Sequence, residues 1–189
     1  MKKIITLTLL ILTFNSFSQN DSLFIYDING LNQEYLVMTV DSTTQQEIFN
    51  NSVNWIKETY KNPDKVIKMS IENKKVRFEG SQQGLICIKA LGMNTCYNAL
   101  YTIEIEFKEN RYKFTPLSLS YRVPPSQYNA GATVEVSFKD GSGCYKNNKS
   151  IRKVFASIPP TVENLFNSLN KSLNEYVKKE SIESTDTEW

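Results

Sequence analysis

Glu104 and Glu106 are the residues whose type and spacing come nearest to chemistry in this sequence. They stand at i and i+2 in the run Tyr101 to Lys108, where apolar and polar residues alternate. Both carboxylates therefore leave one face of a strand, with Cα atoms about 7 Å apart. Carboxyl groups roughly 6.5–9.5 Å apart suit an inverting hydrolase, one as general acid and the other as general base. The plainer reading weighs more: this is the polar face of an amphipathic strand, balanced by Lys108, Arg111 and Lys113. Lys75, Arg77, Arg111 and Lys113 would gather on the same face and give it a basic character. Glu79, Glu104 and Glu106 share it, so it reads as a solvated face rather than a nucleic-acid surface.

Nucleophilic and metal chemistry lack their usual parts. The chain has no histidine, which removes the commonest general base and the commonest metal ligand. Its three cysteines, Cys87, Cys96 and Cys144, match no zinc spacing. Cys87 lies among Leu85, Ile86 and Ile88 and reads as core rather than as an activated thiolate. Cys96 and Cys144 fall in segments read as loops, which favours a Cys96–Cys144 disulfide in an oxidising compartment. No cofactor, no metal and no enzyme activity are expected.

The compartment comes from the N-terminus. Lys2 and Lys3 precede the apolar run Ile4 to Phe14, and Ser16-Phe17-Ser18 offers small residues for cleavage after Ser18. That is the pattern of a secretory signal peptide over 1–18, too short to be a transmembrane span. The expected location is periplasmic or extracellular. The whole chain carries 22 Lys and Arg against 20 Asp and Glu. Residues 1–18 hold two of those lysines and no acid, so the remainder balances at zero, which argues against a nucleic-acid partner.

The elements that must position these residues follow from periodicity. Residues 19–34 read as a polar leader with one apolar patch, Leu23 to Tyr26. Tyr35 to Val40 has strand composition. Ile48, Phe49, Val53, Trp55, Ile56 and Tyr60 then recur at helical steps over 44–60, capped by Ser42, Thr43 or Thr44 and stopped at Asn62-Pro63-Asp64. Period-two strands follow from Ile67, Val76, Tyr101 and Tyr112, with Gly80 and Gly84 marking a bend or bulge. Leu91 to Asn98 reads as a loop. The shift from Tyr112 and Phe114 to Leu117, Leu119 and Tyr121 calls for a bulge near Pro116, at a sheet edge.

Residues 123–158 read as a loop and hairpin insertion. An amphipathic helix over 159–179 presents Val162, Leu165, Phe166, Leu169, Leu173, Tyr176 and Val177, and 180–189 reads as a disordered tail. The expected fold is an α+β two-layer sandwich, β-α-β(4)-α, with an antiparallel sheet and both helices on one face.

Four features carry a family resemblance: Trp55-Ile56 on the first helix, the Val66-Ile67 strand start, the Gly80-to-Gly84 region, and the hairpin Lys108-Glu109-Asn110-Arg111-Tyr112-Lys113. Over 35–122 the chain resembles the exported bacterial proteins grouped as domain of unknown function 4468, described as TATA-binding-protein-like (TBP-like). Their hairpin is of the Lys-Asp-Gly-Arg-Tyr-Arg type, with Asn here in place of Gly. The resemblance implies a fold and an exported setting, and it brings no catalytic residues.

Function is therefore expected to be non-enzymatic binding in the cell envelope, with an envelope protein as partner. The alternative is a carrier for a small apolar ligand in a groove lined by Phe49, Trp55, Tyr60, Phe166 and Tyr176, against which stands ordinary core packing. Tyr97, Tyr121 and Tyr128, read as near or on loops at 91–98 and 124–131, are further contact candidates.

Overall fold

A computed structural model describes residues 23–90, 92–127 and 130–185. The signal peptide, its cleavage point, the first four leader residues, Tyr128 and residues 186–189 lie outside the described residues.

Three long strands of alternating polarity build the sheet. β4 (Ile67–Ile71), β5 (Lys75–Ala90), β6 (Met93–Lys108) and β7 (Arg111–Val123) run antiparallel in spatial order β7-β6-β5-β4. Val76 and Phe78, then Tyr101, Ile103, Ile105 and Phe107, then Tyr112 and Phe114 are all buried on one face. β3 (Leu36–Thr39) pairs with residues 111–114 of β7, and β8 (Ala132–Glu135) pairs with 120–123 on the same outer side. Two short strands thus share one edge of β7 and leave 115–118 uncovered between them. Pro116 falls in that interval, where a missing N–H costs no ladder bond. The bulge is real: Thr102 faces Ser118 while Ile103 faces Pro116, so Leu117 is the extra residue. It carries the inward set from Tyr112 and Phe114 to Leu119 and Tyr121.

Two helices cover the apolar face. α1 (Gln45–Thr59) starts at Thr44, whose side chain accepts from the Glu47 N–H while the Glu47 carboxylate accepts from the Thr44 N–H. This reciprocal capping satisfies donors that a helix start leaves orphaned. Ile48, Phe49, Trp55 and Ile56 are its buried stripe. α1 ends before proline, and Pro63 instead opens a four-residue α2 (Pro63–Val66). After β8 and a 3-10 turn at Lys153–Phe155, α3 (Ile158–Thr185) closes the fold. Pro159 and Pro160 sit in its first turn, where proline is tolerated. Trp55 Nε1 donates to Ser172 Oγ at 3.1 Å, tying the two helices together.

The structure corrects four expectations. α3 runs six residues past 179, because Lys178 to Thr185 holds no Gly or Pro to stop it; losing the apolar stripe does not end a helix. Residues 93–98 are the start of β6 rather than a loop. The leader is part of the core: β1 (Tyr26–Asp27) and β2 (Gly30–Leu31) form a small hairpin, and Phe24 and Tyr26 are buried. Tyr121 is a buried strand residue stacked on Tyr97 at 5.7 Å, so neither tyrosine is a loop contact.

α3 supplies what the leader lacks. Asn167 accepts from the Phe24 N–H and donates to the Phe24 carbonyl, both at 2.9 Å, and Glu163 accepts from the Tyr26 N–H. A carboxamide and a carboxylate thereby stand in for a neighbouring strand.

Gly80 faces Tyr101 across the β5–β6 ladder, and the Tyr101 ring lies over it where a Cβ would sit. The ring is held by its hydroxyl, 2.9 Å from that of Tyr60. Gly80→Ala should cost about 1–3 kcal/mol by overpacking, read as a lower urea midpoint at unchanged slope.

Candidate functional site

Glu104 and Glu106 do share the sheet face that no helix covers. Register places Arg77 and Thr115 beside Glu104, and Lys75 and Lys113 beside Glu106. Glu104 Oε2 accepts from Arg77 Nη2 at 2.7 Å, Arg77 Nε at 3.1 Å and Lys75 Nζ at 3.4 Å. Glu106 pairs with Lys113 at 2.8 Å, and Glu79 with Lys68 at 3.3 Å. The Glu104 side chain is only 9% exposed. Burial alone would raise its carboxyl, but the Arg77 and Lys75 hydrogen bonds and charges outweigh burial and hold it below its ordinary value. A carboxyl so held is ionised at neutral pH and has no proton to give as a general acid. Three cations of this face, Lys75, Arg77 and Lys113, answer acids on it.

Three of the five expected groove residues fill the interior. Trp55, Phe49 and Phe166 are buried. Trp55 meets Phe78 edge-on at 5.9 Å and Tyr60 at 6.4 Å, Phe49 meets Phe107 at 5.5 Å, and Phe166 meets Phe24 at 6.2 Å. Edge-to-face contacts of this kind close space that a ligand would need. Tyr60 is half-buried against Tyr101, and burial pushes both phenols up. Tyr176 sits at the rim, its hydroxyl donating to Glu58 at 2.7 Å, which pushes the phenol up to about 12. Phe49, Trp55 and Phe166 are packing, and none of the five lines a described cleft.

The family model described as "Domain of unknown function (DUF4468) with TBP-like fold" matches residues 35–122. Over those residues the chain is similar to that family. A crystal structure of a DUF4468 family protein from Bacteroides ovatus superposes with a TM-score of 0.56 at 12% identity, covering 76% of this chain and 84% of that one. A TBP-like protein from Parabacteroides distasonis gives 0.49 at 18% identity, covering 75% and 92%. At 12% identity the first of these likenesses speaks for the fold alone. No curated protein matches the sequence.

Within residues 35–122, the hairpin turn has a structural task. Asn110 takes a positive φ of 59°, which Asn tolerates better than most residues. Its side-chain oxygen accepts from the Thr43 N–H, its carbonyl from Val40 N–H, and its N–H donates to the Thr43 carbonyl. Glu109 adds a carboxylate that accepts from the Gln45 N–H at the start of α1, where negative charge is favourable. A glycine at 110 would keep the turn and lose the bond to Thr43.

Cysteine pairing departs from the expected Cys96–Cys144. Cys87 and Cys96 are direct partners in the β5–β6 register and form the disulfide, while Cys144 is free and buried. The error follows from reading 91–98 as a loop: once that stretch is strand, Cys96 lies opposite Cys87. The Cys144 thiol is pushed up by burial, against a hydrogen bond with Tyr26.

Sequence reasoning did not find a cleft of about 480 Å³ where residues of β5 meet α3. It is lined by Gln82, Gly84 and Leu85 of β5 and by Thr161, Asn164, Leu165, Ser168 and Leu169 of α3. Two smaller hollows flank β7, about 230 Å³ beside Cys144 and about 250 Å³ beside Pro116. Among the described residues no group of His, Cys, Asp or Glu could hold a metal ion.

Two outcomes follow. Glu104 has a depressed folded pKa, so its contribution is full above its ordinary 4.5 and fades as pH falls through the lower folded value. Glu104→Gln should cost about 1–2 kcal/mol at pH 7, and urea melts of parent and variant should converge as pH falls below the ordinary 4.5 and through the lower folded value. Native protein should show no fast-reacting thiol and, after unfolding without reductant, one per chain by thiol titration. Three would mean that the Cys87–Cys96 bridge is absent.

Proposed function

We propose that the chain is a non-enzymatic binding domain of the bacterial envelope. The observation that carries this reading is that its chemistry-bearing groups are spent on internal partners. Glu104 is held by Arg77 and Lys75, Tyr60 by Tyr101, Tyr112 by Asn170, and Cys87 by Cys96. What remains for function is surface: an uncovered sheet face, an unpaired strand edge, and the cleft against α3. The envelope setting is supported by the N-terminal residues 1–18 and agrees with a disulfide. No helix among the described residues is long and apolar enough to cross a membrane.

Two measurements test the proposal. The full-length gene product, expressed with residues 1–18, should be recovered from the envelope or medium with Gln19 as its first residue. The purified protein should turn over nothing in a broad screen of esterase, glycosidase and peptidase substrates. Turnover that disappears in the Glu104→Gln, Glu106→Gln double variant would overturn the binding reading in favour of a hydrolase.

A further inference from the structure

The cleft between β5 and α3 combines two features that occur together nowhere else among the described residues. The first is an open strand edge. β4 pairs with β5 only from Lys75 to Phe78, and among the described residues no strand pairs the outer side of β5 from there to Ile86; at Cys87 the carbonyl accepts from Ser157 Oγ. The β5–β6 register also breaks between Gln82 and Ile86, so residues 83–85 stand opposite Asn98 alone. Gly84 there takes a φ of 61° and gives its N–H to the Asn98 side chain. Proteins ordinarily blunt an open edge with lysine, proline or a bulge. Ser81-Gln82-Gln83-Gly84-Leu85-Ile86 has the register break but neither lysine nor proline.

The second feature is the face that α3 turns toward this edge. Between Ile158 and Asn170 only Glu163 is charged, whereas Lys171 to Thr185 carries Lys171, Glu175, Lys178, Lys179, Glu180 and Glu183. Surface helices usually place charges on their outer side, and depletion of charge marks the centre of a recognition surface. Glu163 itself is turned to the Tyr26 N–H. The cleft stripe, Thr161, Asn164 and Ser168, comes at three- and four-residue steps over a floor of Leu165 and Leu169.

The geometry points to a peptide-binding site: an extended, uncharged segment of a partner protein adds along the outer edge of β5 near Gln82 to Leu85. Its backbone N–H and C=O groups answer the unpaired edge, as in strand addition generally. Alternate side chains enter the cleft, where Leu85, Leu165 and Leu169 take an apolar group and Gln82, Asn164 and Ser168 supply neutral donors and acceptors. A four-residue stretch spans about 13 Å in extended form, and a cleft of about 480 Å³ holds side chains of one strand, not a second sheet with its helix. A charged side chain there would meet no counter-ion and lose hydration. The inference rests on the binding reading and names its site.

The probe is a random heptapeptide library panned on the full chain. Enriched peptides should lack Lys, Arg, Asp and Glu at alternating positions and shift backbone amide signals at 81–86 and 161–169. Ser168→Lys and Asn164→Glu, both on the exposed helix surface, should each weaken them about tenfold or more while leaving the urea midpoint in place. Enriched peptides that bind both variants as well as the parent would overturn the cleft and leave the binding reading standing. Failure to enrich any peptide overturns the cleft proposal as well, and so does a parent dimer in sedimentation that Ser168→Lys dissolves, since a second copy would then occupy the edge.

Discussion

The seating of α3 on the apolar face of the sheet is the contact on which the remaining structure depends. Its Phe166 is fully buried between Phe24 and Phe138, and its Leu173 and Val177 are fully buried further along. The same helix holds the polar ends of three other parts. Asn167 and Glu163 hold the leader backbone, Asn170 accepts from the Tyr112 hydroxyl on β7, and Ser172 accepts from Trp55 on α1. Burial supplies the driving force, since each large side chain removed from water contributes on the order of 1.5–3 kcal/mol. The hydrogen bonds set the register: a helix slid by one turn would bury donors and acceptors without partners.

The opposite face follows from the first. A sheet covered on one side must alternate, so every second residue of β5, β6 and β7 is delivered to water. The charges this brings to Lys75, Arg77, Glu104, Glu106 and Lys113 are arranged in alternating sign across the strands, which favours this pairing over like-charge neighbours. The pair that looked like catalytic carboxylates is thus a product of strand periodicity, neutralised by the neighbouring strands.

Legibility in the sequence tracked the range of the interaction. The alternation in Tyr101 to Lys108, the Thr44 cap, the bulge at Leu117 and the turn at Asn110 are written in adjacent residues and were readable. Phe24 and Tyr26 were not placed, because strands of two residues are too short to show a period and their partners are α3 side chains some 140 positions away. Cys87 and Cys96 were missed because polar Asn94, Thr95 and Asn98 hide a strand whose pairing, not composition, defines it. The β5–α3 cleft was invisible for the same reason. It exists only where the 35–122 domain meets a helix that begins at Ile158, and its signature is a missing charge rather than a conspicuous residue.

The division of the outer side of β7 between β3 and β8 bears on how the molecule opens. One continuous partner would peel as a unit, so that loss at either end would unzip the other. Here the ladder is interrupted at 115–118, and each short strand is anchored by different surroundings, β3 through Val40 to the Asn110 turn and β8 through Val136 to Leu119. Fraying of β8 need not propagate to β3. The edge therefore behaves as two small cooperative units with separate opening free energies, and amide exchange along β7 should fall into two populations divided at Pro116.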